Sequence, residues 1–368
     1  MTAHRAPRRA LALAAALAAA LPLLAACSSS DSDATSTATA SGDISAERCA
    51  ENQAAGAITF LTSYQYTATV GILDVLAAEQ QGYFADLCLD VTIQPGGTNA
   101  QLVSAGTAQI AGLGGASDVM TAVDNGADIT GVATYGNTVA ITLMTNADSG
   151  IDSLDDFVGK TIGYKDAIPP QVEAMFVQAG IALDSINWVS VGYDPTILPQ
   201  GQVDALTGYI SNEPHTLETA GYDVTLWNPS DYGIESTFNT QIVNTDWAEA
   251  NPTAVEDFLR ASLHGYDYLN TSDDNLASTL DYASSLSDSG YDVDAASYRW
   301  TTEVGLVEDS LPDGWGVGQE SVDQWQPEAD MLVTYDLVKS TPDPASDLDS
   351  SYIDAIYDTD GTLIWPAP

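Results

Sequence analysis

Positive charge is what this sequence has least of. Only 9 Lys and Arg stand against 52 Asp and Glu in 368 residues, a formal net charge of −43. Arg5, Arg8 and Arg9 fall in the first ten residues, so the chain beyond Cys27 carries six basic residues against all of the acids. Nucleic acid and anionic lipid headgroups both need clustered Lys and Arg to neutralise phosphate, so neither is an expected partner of this surface. Acidity of this order bears on solubility rather than on fold.

Cysteine and histidine are also scarce, with 3 of each. No CxxC pair occurs, and His215 and His264 stand far apart, so the spacings used by metal sites and thiol catalysis are missing. No metal and no cofactor is expected. The one long apolar run, residues 10–24, is too short to span a bilayer. Preceded by arginines and ending in Leu24-Ala25-Ala26-Cys27, it reads as a secretory signal over residues 1–26. The Leu-Ala-Ala-Cys-Ser run is similar to a bacterial lipobox, which implies cleavage before Cys27, lipidation of its thiol and a membrane anchor; an ordinary signal with an incidental Cys is the alternative.

Residues 27–56 read as a tether, because Ser28 to about Ala46 is Ser, Thr, Ala and Asp without an apolar period and cannot offset the entropy of ordering. Two cysteines remain, Cys49 and Cys88. In a chain that matures outside the cytoplasm this pair favours a disulfide, with two buried thiols as the alternative.

From residue 57 the pattern alternates strand and helix. Strands are expected at 57–61, 89–93, 109–113, 129–134 and 139–144, with helices over 67–81, after Gly96-Gly97-Thr98, and from Ser117 to Asn125-Gly126. A second unit follows with strands at 160–164, 188–191, 205–210 and 223–227 and a helix opened by Pro169-Pro170. Residues 241–244 read as a return strand before helices at 252–269, 274–286, 295–307, 321–338 and 351–357. Such alternation means parallel sheets with helices on their faces. Gly159-Lys160-Thr161 is no P-loop, since Leu154 stands where the first glycine is required.

One stretch carries most of the chemistry. In residues 200–214 an apolar strand ends in a polar turn holding Tyr209, Asn212 and Glu213, with Pro214 biasing Glu213 away from the α region. Ligands of open α/β sheets bind at such carboxyl ends. This segment, with Gln81-Gly82-Tyr83-Phe84, Leu89-Asp90-Val91, Gly96-Gly97, Leu102 to Gly106, Gln109-Ile110-Ala111, Gly126 to Ile129 and Leu154 to Gly163, resembles in order the motifs of the NMT1/THI5-like, SsuA-related substrate-binding proteins of ABC importers.

The resemblance implies an α/β, type II periplasmic-binding-protein fold. Two α/β lobes are joined by two crossover strands, near 139–144 and 241–244, with a helical C-terminal tail; lobe one takes 57–143 and 245–368, lobe two 144–244. Hinge closure on a ligand follows from that layout, with helix N-termini at Thr67, Thr98, Ser117 and 167–171 facing the cleft. Expected ligand contacts are Tyr64 or Tyr66 stacking on a planar ligand and Gln65 bonding its edge, unless this is an exposed loop with one Tyr packed on the lobe. Ser117 either donates or merely caps its helix. Asn137 faces the cleft or forms a turn. Tyr164 and Lys165 sit at the equivalent place in lobe two, where Lys165 is the site's cation or one partner of a salt bridge.

Glu213 pairs with the donor edge of an aminopyrimidine or flavin, or caps a helix over 216–220, a role open to Asn212 too. The implied function is capture of a thiamine-pyrimidine precursor or riboflavin-like heterocycle, without catalysis, by a lipid-anchored extracytoplasmic monomer that delivers it to an ABC permease and its ATPase. A sulfonate- or nitrate-type anion is the alternative ligand. A pyrimidine-making enzyme and a surface adhesion or sensory module are the alternative classes.

Overall fold

The computed structural model describes residues 44–165, 167–287 and 290–368; the signal-like segment, Cys27 and the biased stretch up to residue 43 lie outside them. Within the described residues the strands are, in chain order, β1 (Ala57–Leu61), β2 (Asp90–Gln94), β3 (Ile110–Leu113), β4 (Ile129–Gly136), β5 (Ile141–Asn146), β6 (Thr161–Tyr164), β7 (Asn187–Ser190), β8 (Ala205–Tyr209), β9 (Val224–Trp227) and β10 (Phe238–Asn244). They form two five-stranded sheets, ordered β2-β1-β3-β10-β4 and β7-β6-β8-β5-β9.

Each sheet has a parallel trio and one strand running the other way between two neighbours: β10 in the first, β5 in the second. The reversed strand is the one that arrives from the opposite lobe. By sheet pairing we place the two crossings at 137–140 and 228–237, the first a few residues and the second about ten residues before the expected changeovers at 143/144 and 244/245. The fold is α/β with two lobes, and its sheet pattern carries the expected pair of crossovers.

Apolar alternation explains the cores. In lobe one Phe60 and Phe84 pack on Phe258 of the long helix Pro252–Thr271, with ring centroids 5.3 and 5.2 Å apart. In lobe two Phe157 meets Phe176 and Trp227 at 5.3 and 5.2 Å. Each buried aromatic of this size contributes about 1.5–3 kcal/mol relative to exposure. Trp300 and Trp325 are fully buried, so these two tryptophans are core.

Three expectations need correction. The tether does not extend to residue 56: Ala46–Ala54 is a helix capped by Ser45. Its Cys49 is disulfide-bonded to Cys88. Arg48 makes a bidentate pair with the buried carboxylate of Asp257, at 2.8 Å to each oxygen, which fixes this helix to lobe one. The helix expected over 67–81 begins only at Leu73, because Gly71 takes φ +81 and turns the chain out of the helical path. The helix around Ser117 is Ala116–Asp124 with Gly115 at its N-cap, so Ser117 lies inside the first turn and does not cap it.

Candidate functional site

The parallel strands of both sheets point their carboxyl ends at one cleft. Behind β1 come Ser63 and Tyr64, behind β3 Gly114 and Gly115, behind β6 Lys165, and behind β8 Ser211 to Glu213; all of these line a cavity of about 390 Å³ between the lobes. β5 and β10 contribute their amino ends, Ile141 and Phe238, because they run antiparallel to the strands beside them. The N-terminus of helix Pro170–Gln178 faces the same space through Pro169, Pro170 and Gln171.

Of the residues expected in the site, the fold brings Tyr64, Ser117, Lys165, Tyr209, Asn212 and Glu213 to the cavity lining. Gln65, Tyr66, Asn137 and Tyr164 are not part of that lining. Gln65 is exposed at φ +47. Tyr66 packs against the lobe-one core, the packed-loop alternative for this segment. Asn137 lies in the crossing segment, where its N–H donates to Ser310 Oγ at 3.1 Å. Tyr164 is the half-buried last residue of β6, one position short of the cleft.

At the mouth Tyr64 and Tyr193 meet from opposite lobes, with centroids 5.1 Å apart and planes tilted by 39°. They are 41% and 49% exposed, so both present ring surface to solvent. Deeper in, Glu213 is the first residue of the helix Glu213–Thr219, with Pro214 in the first turn, where a missing N–H costs nothing. The expected extended conformation before Pro214 is therefore overridden, and Asn212, not Glu213, holds the N-cap position, without a side-chain cap bond.

The Glu213 carboxylate folds back on its own strand. Oε2 accepts from the Tyr209 N–H at 2.8 Å, and Oε1 accepts from Asn212 Nδ2 at 2.9 Å and from Lys165 Nζ. Lys165 is thus a salt-bridge partner, and its pair is largely buried. Asn212 Oδ1 accepts in turn from Arg299.

The helix Val293–Ser310, from the C-terminal tail, supplies Arg299 and Glu303 to the cavity. Glu303 accepts from Val70 N–H at 3.1 Å, Asn239 Nδ2 at 3.2 Å and, across the cleft, Ser211 Oγ at 2.8 Å. Burial pushes its carboxyl up to about 7 against these donors and the nearby Arg299. Tyr298 of the same helix stacks on His215 of lobe two, centroids 3.7 Å apart. Gln171 Nε2 donates to Ser117 Oγ at 3.4 Å and to Ser236 Oγ at 2.8 Å, a further bridge between the lobes.

Asp118 and Glu328 complete the lobe-one side. Glu328 is buried behind the wall, where one oxygen accepts from Ser117 N–H at 2.9 Å and the other from the Thr237 N–H and hydroxyl. Asp118 lines the cleft and accepts from Gly114 N–H at 3.0 Å; desolvation raises its pKa. It also borders a second cavity of about 450 Å³ beside Ala100, Ala122 and Ala127. Sequence periodicity could place these acids on helices but not direct them at a cleft, since Glu303 lies 92 positions from Ser211.

The family described as NMT1/THI5 like is matched over residues 70–275. The chain belongs to this family. Among curated relatives it is 30% identical over 214 residues to the formylaminopyrimidine-binding protein of Halalkalibacterium halodurans, a match that covers 55% of this chain and 64% of that protein. Among solved structures, the periplasmic aliphatic sulphonate binding protein SsuA from Escherichia coli has a TM-score of 0.60 at 14% identity, covering 79% of this chain and 96% of the other. The desulfurization enzyme DSZB has a TM-score of 0.52 at 11% identity, covering 81% and 98%. At such identities the likeness is one of fold, and the fold alone does not separate a binder from an enzyme.

Proposed function

We propose that the chain is an extracytoplasmic substrate-binding protein of an ABC importer that closes its two lobes on a small planar amino-heterocycle. The observation that carries this reading is the make-up of the cleft: tyrosines from both lobes at the mouth, and carboxylates with amide donors in the interior. Aromatic faces stack on a planar ring, and the acids accept from its exocyclic N–H groups. Tyr64 and Tyr193 would hold the faces, while Tyr209, Asn212 and Ser117 address the edge and Glu213 fixes Tyr209 and Asn212. The relative that binds a formylaminopyrimidine supports a pyrimidine over a riboflavin-like ligand.

The anion reading has less support. At the start of helix Ala116–Asp124, the N–H groups that would attract a sulfonate are already engaged, that of Ser117 by the Glu328 carboxylate and that of Ala116 by Thr237 Oγ1. Binding without turnover is favoured by a lining that holds neither His nor Cys among the described residues. Thermal-shift screening against aminopyrimidines, riboflavin, alkanesulfonates and nitrate tests the reading. Aminopyrimidine at 100 times its Kd should stabilise the protein by about 2.7 kcal/mol, and a response to sulfonate or nitrate alone would overturn it. In the same reading Cys27 carries the lipid anchor, and Cys27→Ser moves the protein from the membrane fraction to the soluble one.

A further inference from the structure

Resting on the heterocycle reading, we propose that Asp118 selects the ligand's exocyclic amine, with the Tyr209 hydroxyl beside it donating to the adjacent ring nitrogen. Asp118 comes from lobe one and Tyr209 from lobe two, so one amidine-like edge would engage both halves of the cleft at once. A ligand that bridges the lobes in this way favours the closed state.

The charges of the cleft single out Asp118. Among the described residues two cations line the cavity, and both are committed: Lys165 to Glu213, and Arg299 to Asn212 with its field acting on Glu303. Asp118 pairs with neither. Its Oδ2 takes one hydrogen bond, from Gly114 N–H at 3.0 Å, and its Oδ1 takes none among the described residues. Asp118 is open to the cleft, so the oxygen left this way is accessible to a donor that a ligand brings, and gains more from a cationic one.

Gly114 makes the arrangement possible. A Cβ there would stand 2.5 Å from Asp118 Oδ2 and 3.7 Å from the Tyr209 hydroxyl, so carboxylate and phenol face each other across the space that the glycine leaves open. Tyr209 is 38% exposed, and the desolvation that remains in the cleft, then the charge of Asp118, push its phenol up, so it stays protonated and able to donate. An acceptor beside a donor matches the complementary pattern of an amino group next to a ring nitrogen. A sulfonate or nitrate offers only acceptors, which Asp118 would repel.

Calorimetry on the full chain tests this with 4-aminopyrimidine, unsubstituted pyrimidine and methanesulfonate, comparing wild type with Asp118→Asn and Gly114→Ala. Asn retains an acceptor for Gly114 N–H, and thermal denaturation checks that each variant is folded. Asp118→Asn is expected to lose about tenfold or more in affinity for 4-aminopyrimidine with little change for pyrimidine. Gly114→Ala displaces the same carboxylate and should show the same selective loss, so it serves if the Asn variant does not fold. Unchanged 4-aminopyrimidine affinity in the variants, or an equal loss for both rings, overturns the role of Asp118 and leaves the heterocycle reading intact. A wild type that binds methanesulfonate and neither ring overturns both.

Discussion

The two walls of the cleft solve the same problem in opposite ways. On the lobe-two side the charges are settled internally: Lys165, Glu213 and Asn212 form a chain that ends on Arg299. On the lobe-one side Asp118, Glu303 and Glu328 face hydrogen-bond donors but no paired cation; burial raises the carboxyls of Glu303 and Glu328, while Asp118 is open to the cleft. The helix Val293–Ser310 links the two walls, since its one arginine reaches Asn212 and its Glu303 accepts from Ser211 across the cleft. In the proposed reading the paired wall is a template, whereas Asp118 on the other keeps one oxygen for the ligand's donors.

Lys165 is where the contrast breaks most severely. Lys165→Ala strands Glu213 in a buried site and should cost about 3–5 kcal/mol in chemical denaturation, while Lys165→Met with Glu213→Leu recovers most of it. If the single variant unfolds like wild type, the lobe-two wall is not held by this pair.

The lobe-one acids give the next effect, in pH. Glu303 is near 7 when folded against an ordinary 4.5, so the folded state keeps a proton that the unfolded chain releases in this window. Its stabilisation is complete below about 4.5 and is lost as pH rises through 7, about 3 kcal/mol for this group. Asp74, pushed to about 7, and Glu320, to about 8, act with the same sign. His264, whose pKa desolvation lowers from 6.5, opposes it within this window, whereas Asp124, Asp156 and Asp194, held below 3.8 by local hydrogen bonds, act only at lower pH and lie in solvent. The melting temperature should therefore fall from pH 5 to pH 8, and Glu303→Gln should flatten the slope; an identical slope in that variant would contradict the assignment.

Smaller effects finish the comparison. Tyr298→Ala removes the stack on His215 and should shift the lobes toward opening by about 0.5–1.5 kcal/mol, read as a larger radius of gyration in solution scattering. Asp118→Asn should leave the melting temperature unchanged or slightly raised, within about 0.5 kcal/mol, because the charge it removes has no partner. A large loss there would make Asp118 a structural residue.

Much of the fold was legible because it rests on local signals. Alternating apolar runs marked the strands, and Gly and Pro marked their ends. The tail helices could be read to within a few residues, as at Pro252–Thr271 and Asp273–Leu286. The site was half legible. Residues at the carboxyl ends of β1, β6 and β8 could be named because topology alone sends those ends to the cleft. Arg299 and Glu303 could not, since what matters is which face of a helix packs on a partner far away in sequence. Glu213 defeated local reasoning differently: its backbone joins the helix and its carboxylate turns back to Tyr209 and Lys165, so neither capping nor a free grip on ligand describes it.

The fastening of the segment after Ile44 has a mechanical consequence. Arg48 and Asn52 both bond the Asp257 carboxylate, and the Cys49–Cys88 bridge closes the same seam. Tension arriving along the chain from its amino-terminal side is taken up by lobe one before it can reach either crossing. In the lipid-anchored reading proposed above, lobe one would then be the fixed jaw and lobe two the swinging one.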